Sequence, residues 1–260
     1  MKFLSKWRAR KVADEAVEVS EKNGVRSLHL GSDTVQSSMR IGAPHDLELA
    51  YTRSMMAFLL FYPRPERVLM IGLGGGSLAK YIYHRLPSAR TTVVEINPRV
   101  VAAARAYFHV PPDDERLTLE IGEGGAYVGA HPGSADVLMV DGFDGVRQVE
   151  ALATQAFYDS CADALGEDGV LVVNLWANDR QFDAYLSRIE TSFGGRVLCL
   201  PAERRGNVIV LALKKSPGKP RWDDLRARAR KLEAAYGLEF LRFVEALKVM
   251  NACSERRLLV

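Results

Sequence analysis

Seven short apolar runs follow one another between Val68 and Leu213: VLMIG, TTVVEI, LTLEIG, DVLMVDG, GVLVVNLW, RVLCL and NVIVLAL. Helical stretches beginning near Gly75, Pro98, Thr154 and Asp179 separate many of them. Strands that are apolar on both faces and alternate with helices make a mainly parallel sheet covered on both sides, an α/β, Rossmann-like arrangement. RVLCL and NVIVLAL are joined only by the PAERRG segment, too short for a crossover helix, so they are expected to pair antiparallel.

The flanking segments follow other patterns. VRSLHLGSDTVQSSMRI, from Val25 to Ile41, alternates apolar and polar around Gly-Ser-Asp and reads as an antiparallel hairpin. From Asp46 to Tyr62, the residues Leu47, Tyr51, Met55, Phe58 and Tyr62 share one helical stripe, which Pro63 and Pro65 end. Trp222 to Met250 reads as two helices broken near Gly237. The expected organisation is an N-terminal β unit with its linking helix over 1–62, an α/β domain over 63–215, and a helical tail over 216–260 packed on that domain.

The net charge of +3 is matched by the last forty residues alone, with nine basic and six acidic side chains. No basic cluster large enough to displace counterions is present, which speaks against a nucleic-acid partner. No apolar run has bilayer length and none follows the basic start, so a membrane partner is not expected and a cytoplasmic location is. That start, with Phe3, Leu4 and Trp7 among Lys2, Lys6, Arg8, Arg10 and Lys11, reads as a solvated arm. Cys161, Cys199 and Cys253 are far apart and odd in number, which suits buried thiols in a reducing compartment. The five histidines are scattered, and no metal is expected.

The chemistry gathers at the strand ends. Ile71-Gly72-Leu73-Gly74-Gly75-Gly76-Ser77 carries the chain from the first strand into a helix with little side chain to obstruct a ligand. Ser77 stands where the dinucleotide pattern has its third glycine, which disfavours a nicotinamide cofactor. Glu95 ends the second strand, where a carboxylate can accept both hydroxyls of a ribose. The third strand ends at Gly122-Glu123-Gly124, where a carboxylate can accept a proton from an adenine amino group. The fourth ends at Val140-Asp141-Gly142-Phe143-Asp144-Gly145, which puts two acids at the mouth of the same crevice. Ligands of open α/β sheets bind at the carboxyl ends of the strands, so four successive strands point to one nucleoside site.

Over roughly Val25 to Trp176 these motifs resemble the spermidine synthase, or polyamine aminopropyltransferase, family. VVEINPRVVAAARAYF is similar to the family's second strand and following helix, and QAFYDSCADALGEDGVLVVN to the helix and strand after its catalytic loop. The resemblance implies a methyltransferase-type, mainly parallel sheet with an antiparallel final strand, a small N-terminal β unit and C-terminal helices. It implies that Gln36, Gly72, Gly74, Gly75, Gly76, Glu95, Glu123 and Gly124 hold decarboxylated S-adenosylmethionine. Asp141 would deprotonate an amine acceptor, and Asp144 would orient it or complete the negative wall. Tyr51 and Trp176 would line the acceptor side, Trp176 by stacking on the substrate unless it fills the contact with the N-terminal unit. No metal takes part, and a homodimer is implied.

Three positions depart from the family pattern. Gly75 stands where the family carries an aspartate, Tyr51-Thr52-Arg53 replaces Tyr-His-Glu, and Asn174-Leu175-Trp176 replaces a Gln-Ser or Glu-Ser element. Arg53 is expected to be solvated or to meet an anionic group on an altered substrate. The same strands would also serve an S-adenosylmethionine-dependent methyltransferase or a non-catalytic nucleoside-binding relative, so the sequence leaves those readings and the acceptor open.

Overall fold

The computed structural model describes residues 16–31, 34–142, 149–202 and 206–260. The basic N-terminal arm, Asp144 and the Glu203 to Arg205 part of the PAERRG segment lie outside them.

The N-terminal unit is a three-stranded antiparallel sheet of β1 (Val17–Lys22), β2 (Val25–Leu30) and β3 (Val35–Arg40). The expected hairpin is β2–β3. β1 escapes apolar patterning because all of its residues after Val17 are exposed. Its signal is the turn instead: Asn23 and Gly24 both have positive φ, 52° and 75°, as a two-residue hairpin turn requires.

The linking helix is shorter than its apolar stripe predicts. α1 covers Ala50–Met55, and the chain then winds as a 3-10 turn over Met56–Leu60. Every residue from Met55 to Leu60 is 0% exposed, so packing from all sides rather than one amphipathic face governs the winding there. Upstream, Asp46 to Leu49 is not helical, and Arg53 Nη1 takes the carbonyls of Leu47 (3.2 Å) and Glu48 (2.6 Å).

The main sheet contains β4 (Arg67–Ile71), β5 (Arg90–Glu95), β6 (Leu117–Ile121), β7 (Ala135–Val140), β8 (Leu165–Trp176), β9 (Val197–Pro201) and β10 (Asn207–Leu213). Their order is β6-β5-β4-β7-β8-β10-β9. The five strands from β6 to β8 are parallel, and β10 runs antiparallel to both β8 and β9. The expected antiparallel ending is present, with the last strand inserted inside β9 rather than added at the edge. The order reverses between β4 and β7, which opens a crevice at their carboxyl ends.

Helices α2 (Ser77–Arg85), α3 (Pro98–Tyr107), α4 (Gly124–Ala130), α5 (Gln155–Ala164) and α6 (Phe182–Phe193) flank the sheet. One buried cluster includes Met70, Val93 and Leu211, and a second includes Leu138, Val173, Phe157 and Ile189. α4 was not expected from the sequence, since its GGAYVGA segment is poor in helix formers.

The tail forms α7 (Trp222–Tyr236) and α8 (Phe240–Met250), with Gly237 between them at φ 68°. Tyr81 donates from its hydroxyl to the Tyr236 carbonyl at 2.6 Å, and α8 packs on β9. Arg228, on the exposed face of α7, donates to the Leu60 carbonyl. Cys161 and Cys199 are buried thiols, whereas Cys253 is exposed, contrary to its expected burial. Among the described residues no helix is long and apolar enough to cross a membrane.

Candidate active site

The glycine-rich turn leaves β4 directly above the end of β7. Gly72 has φ +94°, and a Cβ there would lie 2.4 Å from the Asp141 carbonyl oxygen, so glycine is required both by conformation and by close approach. Gly74 and Gly76 also have positive φ, and Gly76 caps the start of α2. Gly75 differs. It lacks a positive φ, but a Cβ built on it would stand 2.8 Å from Ser37 Oγ and 2.9 Å from Phe108 Cδ1. The space next to the missing family aspartate is thus already taken by a hydroxyl and a buried ring.

Glu95 ends β5 and is 8% exposed. Its Oε2 accepts from the Leu73 amide and its Oε1 from the Asn97 amide, both at 2.9 Å. Burial raises its pKa, and the amides of Asn97, Leu73 and Ile96 oppose that rise by favouring the ionised form. Glu95 therefore braces the glycine turn. Glu123 is the N-cap of α4 and accepts from the amides of Gly125 (2.9 Å) and Ala126 (2.7 Å), one bond to each carboxylate oxygen. This cap gives the glycine-rich α4 its start. Gly124 lies against the end of β4, where a Cβ would meet Ile71 Cγ2 at 2.3 Å.

Asp141 follows β7, with its amide bonded to the Ile71 carbonyl at 3.0 Å. Its Oδ2 accepts from the Tyr51 hydroxyl at 3.2 Å, and its Oδ1 from Asn174 Nδ2 at 2.9 Å. Burial pushes the Asp141 carboxyl above its ordinary range, with the bonds from Asn174 and Tyr51 acting against that. Burial and the neighbouring Asp141 hold the Tyr51 phenol well above its usual pKa, so Tyr51 is a donor. Asn174 Oδ1 in turn accepts from Asn207 Nδ2 at 2.9 Å.

A cavity of about 20 Å³, the size of one water, opens beside Asp141. It joins four expected elements, Gln36, Tyr51, the glycine turn and Asp141, and adds Ser37, Thr52 and Ser77. Glu95, Glu123, Gly75, Gly76, Gly124 and Trp176 are not on its wall. Trp176 ends β8 and is 40% exposed. Arg53 pairs through its Nε with Glu239 Oε1 at 2.9 Å, fastening α1 to the start of α8, with its side chain 26% exposed. A wider hollow of about 460 Å³ lies away from this centre, between β1 and Tyr107. Among the described residues no group of three or more His, Cys, Asp or Glu is placed to hold a metal.

The sequence signal for Ser37, Thr52 and Ser77 was their adjacency to Gln36, Tyr51 and Gly76. Asn207 had none, because its partner lies across an antiparallel pair.

Residues 48–193 match the model of the spermine/spermidine synthase domain. The polyamine aminopropyltransferase of Chromobacterium violaceum is 46% identical over 244 residues, covering 94% of each chain. Among solved structures, a probable spermidine synthase from Corynebacterium glutamicum superposes with a TM-score of 0.71 at 19% identity, over 93% of this chain and 95% of that one. Human methyltransferase-like protein 13 in complex with SAH superposes with a TM-score of 0.63 at 21% identity, over 80% of this chain and 96% of that one. Both structural likenesses establish the fold.

Proposed function

The chain belongs to the spermine/spermidine synthase family, and from that premise we propose that it moves an aminopropyl group from decarboxylated S-adenosylmethionine to a small amine. The observation that carries this reading is Asp141, fixed by two donors at the mouth of the crevice where β4 and β7 diverge. An aliphatic amine with a pKa of about 10 is almost wholly protonated at neutral pH and has no lone pair to offer. Asp141 accepts that proton. The freed nitrogen attacks the propyl carbon beside the sulfonium, the carbon–sulfur bonding pair passes to sulfur, and methylthioadenosine leaves neutral. Burial matters here, since a carboxyl held above its ordinary range accepts a proton more readily than a free one.

The nucleoside lies across the glycine turn, with Glu95 towards the ribose, Glu123 and Gly124 beside the adenine, and Gln36 over the turn. Tyr51 and Trp176 bound the amine side, and Asp144 adds a second acid there. The enzyme works in the cytoplasm as a homodimer, and its unpaired cysteines suit that location.

Purified protein given decarboxylated S-adenosylmethionine and a panel of amines is expected to release methylthioadenosine and an aminopropylated product. The same panel with S-adenosylmethionine is the control. Release no greater than without enzyme ends the reading, and methylated products with the carboxylated donor would replace it by methyl transfer.

A further inference from the structure

Asn207 opens β10 opposite Trp176, which lies two residues beyond Asn174 on β8. Two equal bonds run in series, from Asn207 Nδ2 to Asn174 Oδ1 and from Asn174 Nδ2 to Asp141 Oδ1, each 2.9 Å. Asn174 is 2% exposed, so water does not readily substitute for either partner. A side-chain amide has one donor end and one acceptor end, and an ionised carboxylate only accepts. Asn174 must therefore turn its NH2 towards Asp141, and its oxygen then needs a donor behind it. Asn207 is that donor.

We infer that Asn207 is a positioning residue, which fixes the side-chain orientation of Asn174 so that Asp141 always meets a donor and never a carbonyl. The segment that matches the family model ends at residue 193, before Asn207. Its catalytic consequence rests on the reading of Asp141 as the base, while the orientation itself does not. Among the described residues, the groups that bear on the Asp141 carboxyl are Tyr51 from α1 and Asn174 from β8. Were Asn174 to turn over, its carbonyl would face Oδ1 and the carboxyl would keep its proton, leaving it unable to take one from the amine.

The test compares wild type with Asn207→Leu, which has no donor, and Asn207→Asp, which replaces the donor by an acceptor and pulls the Asn174 NH2 away. The Asp141 carboxyl is followed by carbon NMR across pH, its resonance assigned by its loss in Asp141→Asn. The pH dependence of kcat/KM for aminopropyl transfer is measured in parallel. The titration midpoint and the acid limb are expected to rise from wild type to leucine to aspartate, by about one unit in Asn207→Asp. Below the wild-type midpoint kcat is expected to fall about tenfold in Asn207→Asp, as a one-unit shift requires, with donor KM within about twofold, the split of a residue acting on the chemical step. Midpoints equal in wild type and Asn207→Leu would overturn the inference, because a shift confined to the aspartate is charge repulsion alone. Asn207→Leu thus decides the matter even if the charged variant does not fold. Wild type without aminopropyl transfer, but with the ordered NMR shifts, would sink the proposed activity and leave the orienting pair intact.

Discussion

Replacing Asp141 by asparagine separates what the site does from what it costs the fold. The carboxylate lies in a crowded place with two donors on it, Tyr51 at 3.2 Å and Asn174 at 2.9 Å. Taking an ion out of water costs several kcal/mol even after relaxation. Asparagine removes that cost and keeps one acceptor, giving up one charge-assisted bond of about 1.5–3 kcal/mol. The net is a stabilisation on the order of 1 kcal/mol, or a Tm about 2–4 °C higher for a chain of this size. Catalysis goes the other way: loss of a general base lowers kcat by roughly 10²–10⁴, with nucleoside affinity held by the unaltered turn and Glu95. The pH dependence carries the sign. Because the folded carboxyl has a raised pKa, the native state binds the proton more tightly, so this group's contribution to stability is complete below its unfolded pKa and is lost as pH rises through its folded value. Activity is lost in the opposite direction, as pH falls through that same value. Thermal melts and steady-state rates across pH check both. A variant within threefold of wild-type kcat, or one that melts several degrees lower with no pH-dependent gap, would refute the reasoning.

Tyr51→Phe removes the donor to Oδ2 and is expected to move the acid limb of kcat/KM upward and lower kcat about tenfold, since a bond to a charged group is worth about 1.5–3 kcal/mol; an unmoved limb would show that Tyr51 does not act on Asp141. Gly75→Asp restores the family acid into space held by Ser37 and the fully buried Phe108, and a cost of about 1–3 kcal/mol is expected in chemical denaturation; unchanged stability would mean that the ring yields freely. Lys80→Met strips the donor from the carbonyls of Phe108 (2.6 Å) and Pro44 (2.9 Å), where burial already pulls the ammonium down to about 8. Two unsatisfied carbonyls at about 1–3 kcal/mol each predict a loss of roughly 2–6 kcal/mol, read from urea unfolding.

How much of this was legible in the sequence depended on how local each feature is. Gly72, Glu95 and Asp141 stand at the ends of their own strands, and a strand is recognisable from its own residues, so their convergence could be expected. Glu123 was placed correctly at a strand end, but its engagement with Gly125 and Ala126 went unseen because a seven-residue helix with three glycines does not announce itself. Arg53 looked like a change of charge in the substrate site, and only the fold brings Glu239, far along the chain, against it. β1 was hidden by its exposure and betrayed only by Asn23-Gly24.

On the proposed reading, the two halves of the site are built by different physics. The nucleoside side is then mostly backbone, a turn braced by Glu95 through the Leu73 amide across neighbouring strand ends and a helix capped by Glu123 within its own first turn. The amine side is a convergence of side chains from α1, β8 and β10 upon one carboxylate. Backbone cradles tolerate sequence change, since most side chains leave amides where they were. A convergence of side chains does not, because removing any member unpairs the next. On the same reading substrate preference follows from the amine side: beside Asp141 the described cavity wall is lined by Ser37, Thr52 and Ser77, and the space a side chain at Gly75 would need is held by Ser37 and Phe108. An acceptor that needs no carboxylate from position 75 is expected to bind here better than one that does, since each missing charged bond forfeits roughly tenfold or more in affinity.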